Sequence, residues 1–258
     1  MRASALEFRL RYFLHAIVFA LGFWAPWSRF LPFNGMLGSH ESTWLALASL
    51  PARNGWASFD ASTIGVLLLG IVFSALAAFL RTWGSAYLGA SIVKDGAMHG
   101  GAIVADGPYR HVRNPLYLGT LIHALALGLL MPPSGALFTI PVIALLQLRL
   151  IAGEEAFLFT SLGPAYTAYV SAAPRLVPSL RPRVPAAGVR PRWTQAVFGE
   201  LYVIGVALSF AIFGWRYNAF LLTKCVLIAL GASLVARAFL PASPAMQQMR
   251  EPAANPGS

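Results

Sequence analysis
Six apolar runs, at about residues 12–27, 62–80, 116–131, 135–151, 196–214 and 217–236, dominate the 258-residue chain. One soluble core cannot hide that much apolar surface. Of all residues 57% are hydrophobic and 11% charged, whereas ordinary soluble domains are about 25% charged. Much of the surface therefore faces lipid, and helices satisfy their backbone groups there internally. The expected fold is all-α, a polytopic integral membrane protein of about six transmembrane helices. The third and fourth runs fall short of the ~20 residues an isolated span needs, so they are expected to pack as a hairpin. Its turn is Met131-Pro132-Pro133-Ser134-Gly135, where proline stops one helix and the small pair allows a tight return.

The basic residues are distributed unevenly around these runs. Arg2, Arg9, Arg11, Arg81, Lys94, Arg110, Arg113, Arg149, Arg175, Arg181, Arg183, Arg190, Arg192, Arg237 and Arg250 fall on one side, and Arg29, Arg53 and Arg216 on the other. The positive-inside rule then makes both termini cytoplasmic. The net charge of +10 points to anionic lipid headgroups as the partner rather than nucleic acid. Among basic residues only Lys94 and Lys224 are lysine, a bias that suits a bacterial genome and hence the bacterial inner membrane. Bulky Phe23-Trp24-Ala25-Pro26-Trp27 follows the first run where signal cleavage wants small residues, so that run reads as a retained anchor. Ser42 suits a helix N-cap before Trp44, and the tail from 241 reads as disordered. A single cysteine, Cys225, excludes an intramolecular disulfide. His15, His40, His99, His111 and His123 lack metal-type spacing, so no metal site is expected.

Polarity concentrates in residues 91–119, two short β-prone pieces separated by glycines and then a polar turn entering a helix. Asn114-Pro115 has the form of a helix start, the Asn side chain accepting a free N–H and Pro losing no bond at the first helical position. Tyr109, Arg110 and Arg113 stand beside that positive helix end, which suits a bound carboxylate or phosphate. Arg110 and Arg113 equally suit topology determinants on lipid headgroups. Tyr117 shares a helical stripe with Leu121 and Ala124, as a ligand contact or an interfacial anchor. Across the hairpin Glu154-Glu155 follows the fourth run, and paired acids at a membrane exit call for a cation or water. Gly163-Pro164 then breaks the helix. Residues 114 and 154 come to the same membrane face in an antiparallel hairpin. A cationic helix start opposite carboxylates suits a zwitterionic amino-acid moiety.

Gly107-Pro108-Tyr109-Arg110-His111-Val112-Arg113-Asn114-Pro115-Leu116-Tyr117-Leu118-Gly119, then Glu154-Glu155, Leu162-Gly163-x-x-Tyr166-x-x-Tyr169 and Pro174-Arg175-x-x-Pro178, resembles the isoprenylcysteine carboxyl methyltransferase family, within a wider group that includes phospholipid N-methyltransferases. The resemblance implies a membrane methyltransferase core at residues 91–178 with S-adenosyl-L-methionine as cofactor. It makes Tyr109, Arg113, Asn114, Pro115, Tyr117, Glu154 and Glu155 cofactor-binding candidates, and Arg110 and Arg175 catalytic candidates, Arg175 for orienting an acidic acceptor. Asn114 stands where the family often has histidine, and asparagine does not titrate near neutral pH. Around the core lie N-terminal helices at 1–90, a basic linker and two helices at 179–240, and the tail at 241–258. Residues 179–192 are expected to skim the anionic surface.

Methyl transfer from a sulfonium is an in-line displacement that neutralises charge and requires no metal. A carboxylate acceptor is already a nucleophile, whereas an amine must lose a proton. With no unambiguous base in the sequence, the expectation is carboxyl O-methylation of a lipid or lipidated acceptor entering from the bilayer. A phospholipid N-methyltransferase is the enzymatic alternative, and a non-catalytic lipid-binding protein the alternative of another class.

Overall fold
A computed structural model describes residues 3–27, 34–91 and 106–238. The β-prone pieces at 92–105 and the tail from 241 lie outside the described residues. Among the described residues the regular structure is helical, as expected of apolar runs that must satisfy their own backbone groups. α1 (Ala5–Arg9) and α2 (Arg11–Trp24) open the chain. α3 (Thr43–Arg53) precedes the long α4 (Phe59–Ser91). The hairpin is α5 (Pro115–Gly128) and α6 (Pro133–Leu162), followed by α7 (Pro164–Ala172). α8 (Trp193–Gly199), α9 (Leu201–Phe213) and α10 (Ala219–Ala238) close the bundle.

α4 is the spine, contacting α3, α5, α8 and α9. α6 lies between α5 and α2, and α10 lies on α9. The core joins Trp44 of α3, Leu67 of α4, Leu127 and Met131 at the end of the hairpin's first leg, Phe210 of α9 and Leu222 of α10. Outward faces stay apolar: Leu68, Leu69, Val72 and Phe79 on α4, and Leu227, Ile228, Leu234 and Val235 on α10, are exposed. Such faces suit lipid.

Among the described residues three helical segments are long and apolar enough to cross a membrane, Phe59–Leu88, Pro133–Leu162 and Ala219–Ala236. A fourth counts if α8 and the segment Leu201–Arg216, bent by 71°, act as one span. Of the six expected spans, three or four meet this test of length and composition. α2 and α5 have 14 residues each, and at ~1.5 Å per residue they reach ~21 Å of a ~30 Å hydrocarbon core. The fourth apolar run, conversely, extends into a helix of 30 residues, so Glu154 and Glu155 belong to α6 itself.

The hairpin turn forms as its prolines dictate. The amides of Thr43 and Trp44 donate to Met131 O (2.7 Å) and Leu129 O (2.9 Å), so the start of α3 satisfies carbonyls that α5 leaves open. Ser42 caps α3, its hydroxyl accepting from Leu45 N at 3.3 Å. α2 meets α6 at small residues: a Cβ on Gly135 would collide with the Gly22 carbonyl, a close approach of the kind that packs helices in lipid.

Candidate functional site
Local chemistry sets the site's frame. Pro115 is the first residue of α5, but Asn114 makes no side-chain cap. Its Nδ2 instead donates to Arg175 O at 3.1 Å. This corrects the capping expectation: the side chain ties the helix start to the strand of chain after α7. The backbone does the same, with Arg113 N donating to Pro174 O (2.8 Å) and Ser179 N to His111 O (2.9 Å). Gly163, at φ +54°, takes the turn that separates α6 from α7, and so returns the chain toward the start of α5.

Two clasps link the legs of the hairpin at this end. The Tyr117 hydroxyl donates to Glu154 Oε2 at 2.6 Å. Glu155 faces two guanidiniums: Arg175 donates from Nη2 at 2.7 Å and from Nε at 3.3 Å, and Arg113 Nη1 lies 3.6 Å from Oε1. Glu155 and Arg113 are well buried, at 12% and 11% side-chain exposure, while Arg175 is 43% exposed. Arg113 Nε is buried and has no hydrogen-bond partner among the described residues, a donor left open beside the helix start.

Tyrosines wall this end. Tyr169 donates its hydroxyl to Tyr109 O at 2.8 Å, and the Tyr109 hydroxyl reaches Gly84 O of α4 at 3.4 Å. Burial, with the Glu154 charge second, pushes the Tyr109 phenol well above its ordinary value. Burial raises Tyr169 likewise. Tyr166 is pushed up to about 12, by burial first and then by Glu155. These phenols stay protonated at neutral pH, so they act as donors and not as bases.

The sequence candidates thus separate into groups. Tyr117 and Glu154 meet. Arg113, Glu155 and Arg175 meet, with Asn114 bonded to the Arg175 backbone, Pro115 opening the helix and Tyr109 alongside. Arg110 turns elsewhere: its Nε donates to Val184 O at 2.9 Å and its carbonyl accepts from Arg183 N at 2.7 Å.

Residues 179–192 are stitched to the site loop. The buried carboxylate of Asp106 accepts from Ala187 N (3.0 Å) and Val189 N (2.8 Å), and Arg192 N donates to Ala86 O (2.9 Å). Extended backbone needs external partners, and the loop's buried acid supplies them.

Sequence reasoning passed over one cluster. Arg81, read there as a loop charge, lies within α4 and forms a bidentate pair with Glu200 at 2.7 and 3.0 Å, joined by Ser85 and Thr120. The signal was present as a single arginine at the end of an apolar run and a single acid inside another, and ionisable groups at such positions are costly unless they meet.

Neither a curated protein nor a solved structure matches this chain. Residues 66–164, running from α4 through the hairpin to the α6–α7 break, match the sequence model of the phospholipid methyltransferase family. With the apolar helices, that match points to an integral membrane protein with a methyltransferase core.

Proposed function
We propose that the chain is an S-adenosyl-L-methionine-dependent methyltransferase acting on a lipid-like acceptor, and that it forms a carboxyl O-methyl ester. The observation that carries the reading is the pair of clasps at the start of α5, Tyr117 to Glu154 and Glu155 to Arg113 and Arg175, with an open donor on Arg113 beside them. The residues present fit the amino-acid part of the cofactor. The buried Arg113 Nε and the α5 start offer donors for its carboxylate. Glu154, whose only hydrogen-bond partner among the described residues is Tyr117, retains acceptor capacity for its ammonium.

Bound there, the cofactor would supply a methyl group on a sulfonium, transferred by displacement without a metal. The chain's own residues then have three tasks. Arg113 and Glu154 bind, and Tyr117 orients Glu154. The tyrosine wall limits water at the reacting end. Arg175, fixed by Glu155 yet exposed, draws an anionic acceptor toward the rim. A carboxylate acceptor needs no proton removed, which agrees with asparagine at 114 and with phenols that stay protonated. The family match favours a second reading, N-methylation of a phospholipid amine.

Incubating membranes that contain the protein with methyl-labelled cofactor separates the readings. Label released as methanol by mild alkali supports the ester, and label that survives supports the amine. No label and no cofactor binding by the purified chain would leave a lipid-binding protein without transferase activity.

A further inference from the structure
Arg81 and Glu200 pair with each other and hydrogen-bond none of the donor-site side chains among the described residues. The Arg81 guanidinium forks onto Glu200, Nε to Oε2 at 2.7 Å and Nη2 to Oε1 at 3.0 Å. Its remaining nitrogen, Nη1, donates to Thr120 Oγ1 at 2.6 Å and to Leu116 O at 3.4 Å. Ser85 donates to Glu200 Oε1 at 2.7 Å. The side chains are 20% and 8% exposed. α5 crosses α4 so closely here that a Cβ on Gly119 would stand 2.6 Å from Arg81 Cγ.

Two features give this cluster a role beyond cohesion. Leu116 and Thr120 are one turn apart on α5 and bracket Tyr117. An apolar helix face can rotate against its neighbour, because methyl contacts have little direction. A planar guanidinium that contacts two oxygens one turn apart fixes that rotation. The carboxylate that aims the guanidinium comes from the 71° bend between α8 and α9, outside the segment 66–164 that matches the methyltransferase family.

We infer that Arg81 and Glu200 are positioning residues: together they set the rotation of α5 that brings Tyr117 onto Glu154, so the C-terminal helices complete the site. The consequence for cofactor affinity rests on the proposed donor site, whereas the consequence for α5 packing does not.

The test uses the full chain in lipid nanodiscs. The double variant Arg81→Met/Glu200→Leu replaces the pair with apolar groups, a change that often leaves stability unaltered or raised. Thr120→Val keeps the ion pair and removes only its strongest contact to α5. Expected are thermal midpoints within about 3 °C of wild type and faster hydrogen exchange at residues 116–121 in both variants. S-adenosylmethionine affinity by calorimetry should fall about threefold in Thr120→Val and at least about tenfold in the double variant. Arg81→Lys keeps the charge but loses the planar fork that holds Glu200 through two nitrogens and Thr120 through the third, and should follow the double variant. Wild-type exchange and affinity in a stable double variant overturn the inference. If the double variant does not fold, the same readings on Thr120→Val decide it. If the wild-type chain binds no cofactor, the donor-site reading falls, and the α5 exchange rates alone decide the positioning role.

Discussion
Tyr117 and Glu154 meet across the α5–α6 hairpin, the phenol donating to Oε2 at 2.6 Å. A hydrogen bond to a charged acceptor is worth about 1.5–3 kcal/mol where water is excluded. Tyr117→Phe removes the donor without changing the ring. The chain should stay folded, with cofactor affinity reduced about tenfold, the equivalent of about 1.4 kcal/mol. Calorimetry on the purified variant checks this, and unchanged affinity would count against Tyr117 as the group that orients Glu154.

Glu155 is the buried partner of two arginines, and the two sides of the clasp should respond unequally. Arg175 is 43% exposed, so Arg175→Ala should cost no more than about 1 kcal/mol of stability. Glu155→Ala leaves Arg113, at 11% side-chain exposure, without its carboxylate, and losing one partner of a buried pair costs about 3–5 kcal/mol at full burial. Urea-dependent proteolysis at residues 173–184 measures both. Equal losses in the two variants would contradict the asymmetry.

What could be read from the sequence was local. The hairpin turn at Pro132-Pro133, the cap at Ser42 and the break at Gly163-Pro164 each follow from one residue's backbone chemistry, and the meeting of Tyr117 with Glu154 and of Arg113 with Glu155 follows from an antiparallel hairpin. Helix length was not legible. α4 and α6 run on past their apolar stretches because tertiary partners, such as Glu200 for Arg81, accommodate charges that hydropathy alone would place in a loop. α2 and α5 end early at Ala25 and Leu129, before a span's length is reached. The strap at 179–192 escaped because its order comes from backbone bonds to Asp106 and His111, which leave no periodicity in side chains. Arg110 fell in the motif block, yet its guanidinium serves that strap.

Asp106 gives the strap its sharpest test. Asp106 is 4% exposed and its carboxylate accepts two amides, so Asp106→Ala orphans the N–H groups of Ala187 and Val189. Each buried unsatisfied group costs about 1–3 kcal/mol, less where water reaches it. The variant should show faster amide exchange across 184–192 while α10 exchanges as in wild type. If exchange at 184–192 is unchanged, the strap is held by its other bonds.

The N-terminus is fastened by a different device, and pH separates it from the rest. Arg149 of α6 donates to both Glu7 oxygens at 2.8 and 3.1 Å, and Ala3 N donates to Arg149 O at 3.0 Å. The Arg149 hydrogen bond, followed by that from Ser4 N, lowers the Glu7 carboxyl from 4.5 to about 2. A depressed acid stabilises the folded arrangement fully above its ordinary value, and the contribution is lost as pH falls from there through the folded value. The tether should therefore hold from neutral pH to about 5 and loosen between about 4.5 and 2. Because the carboxyl is at the surface, salt should weaken it. Hydrogen exchange at residues 3–9 follows this directly, with Glu7→Gln as control: other carboxylates titrate over the same range, but only the wild-type tether should lose protection in the acid window. Equal pH dependence in the two proteins would show that Glu7 does not hold the N-terminus.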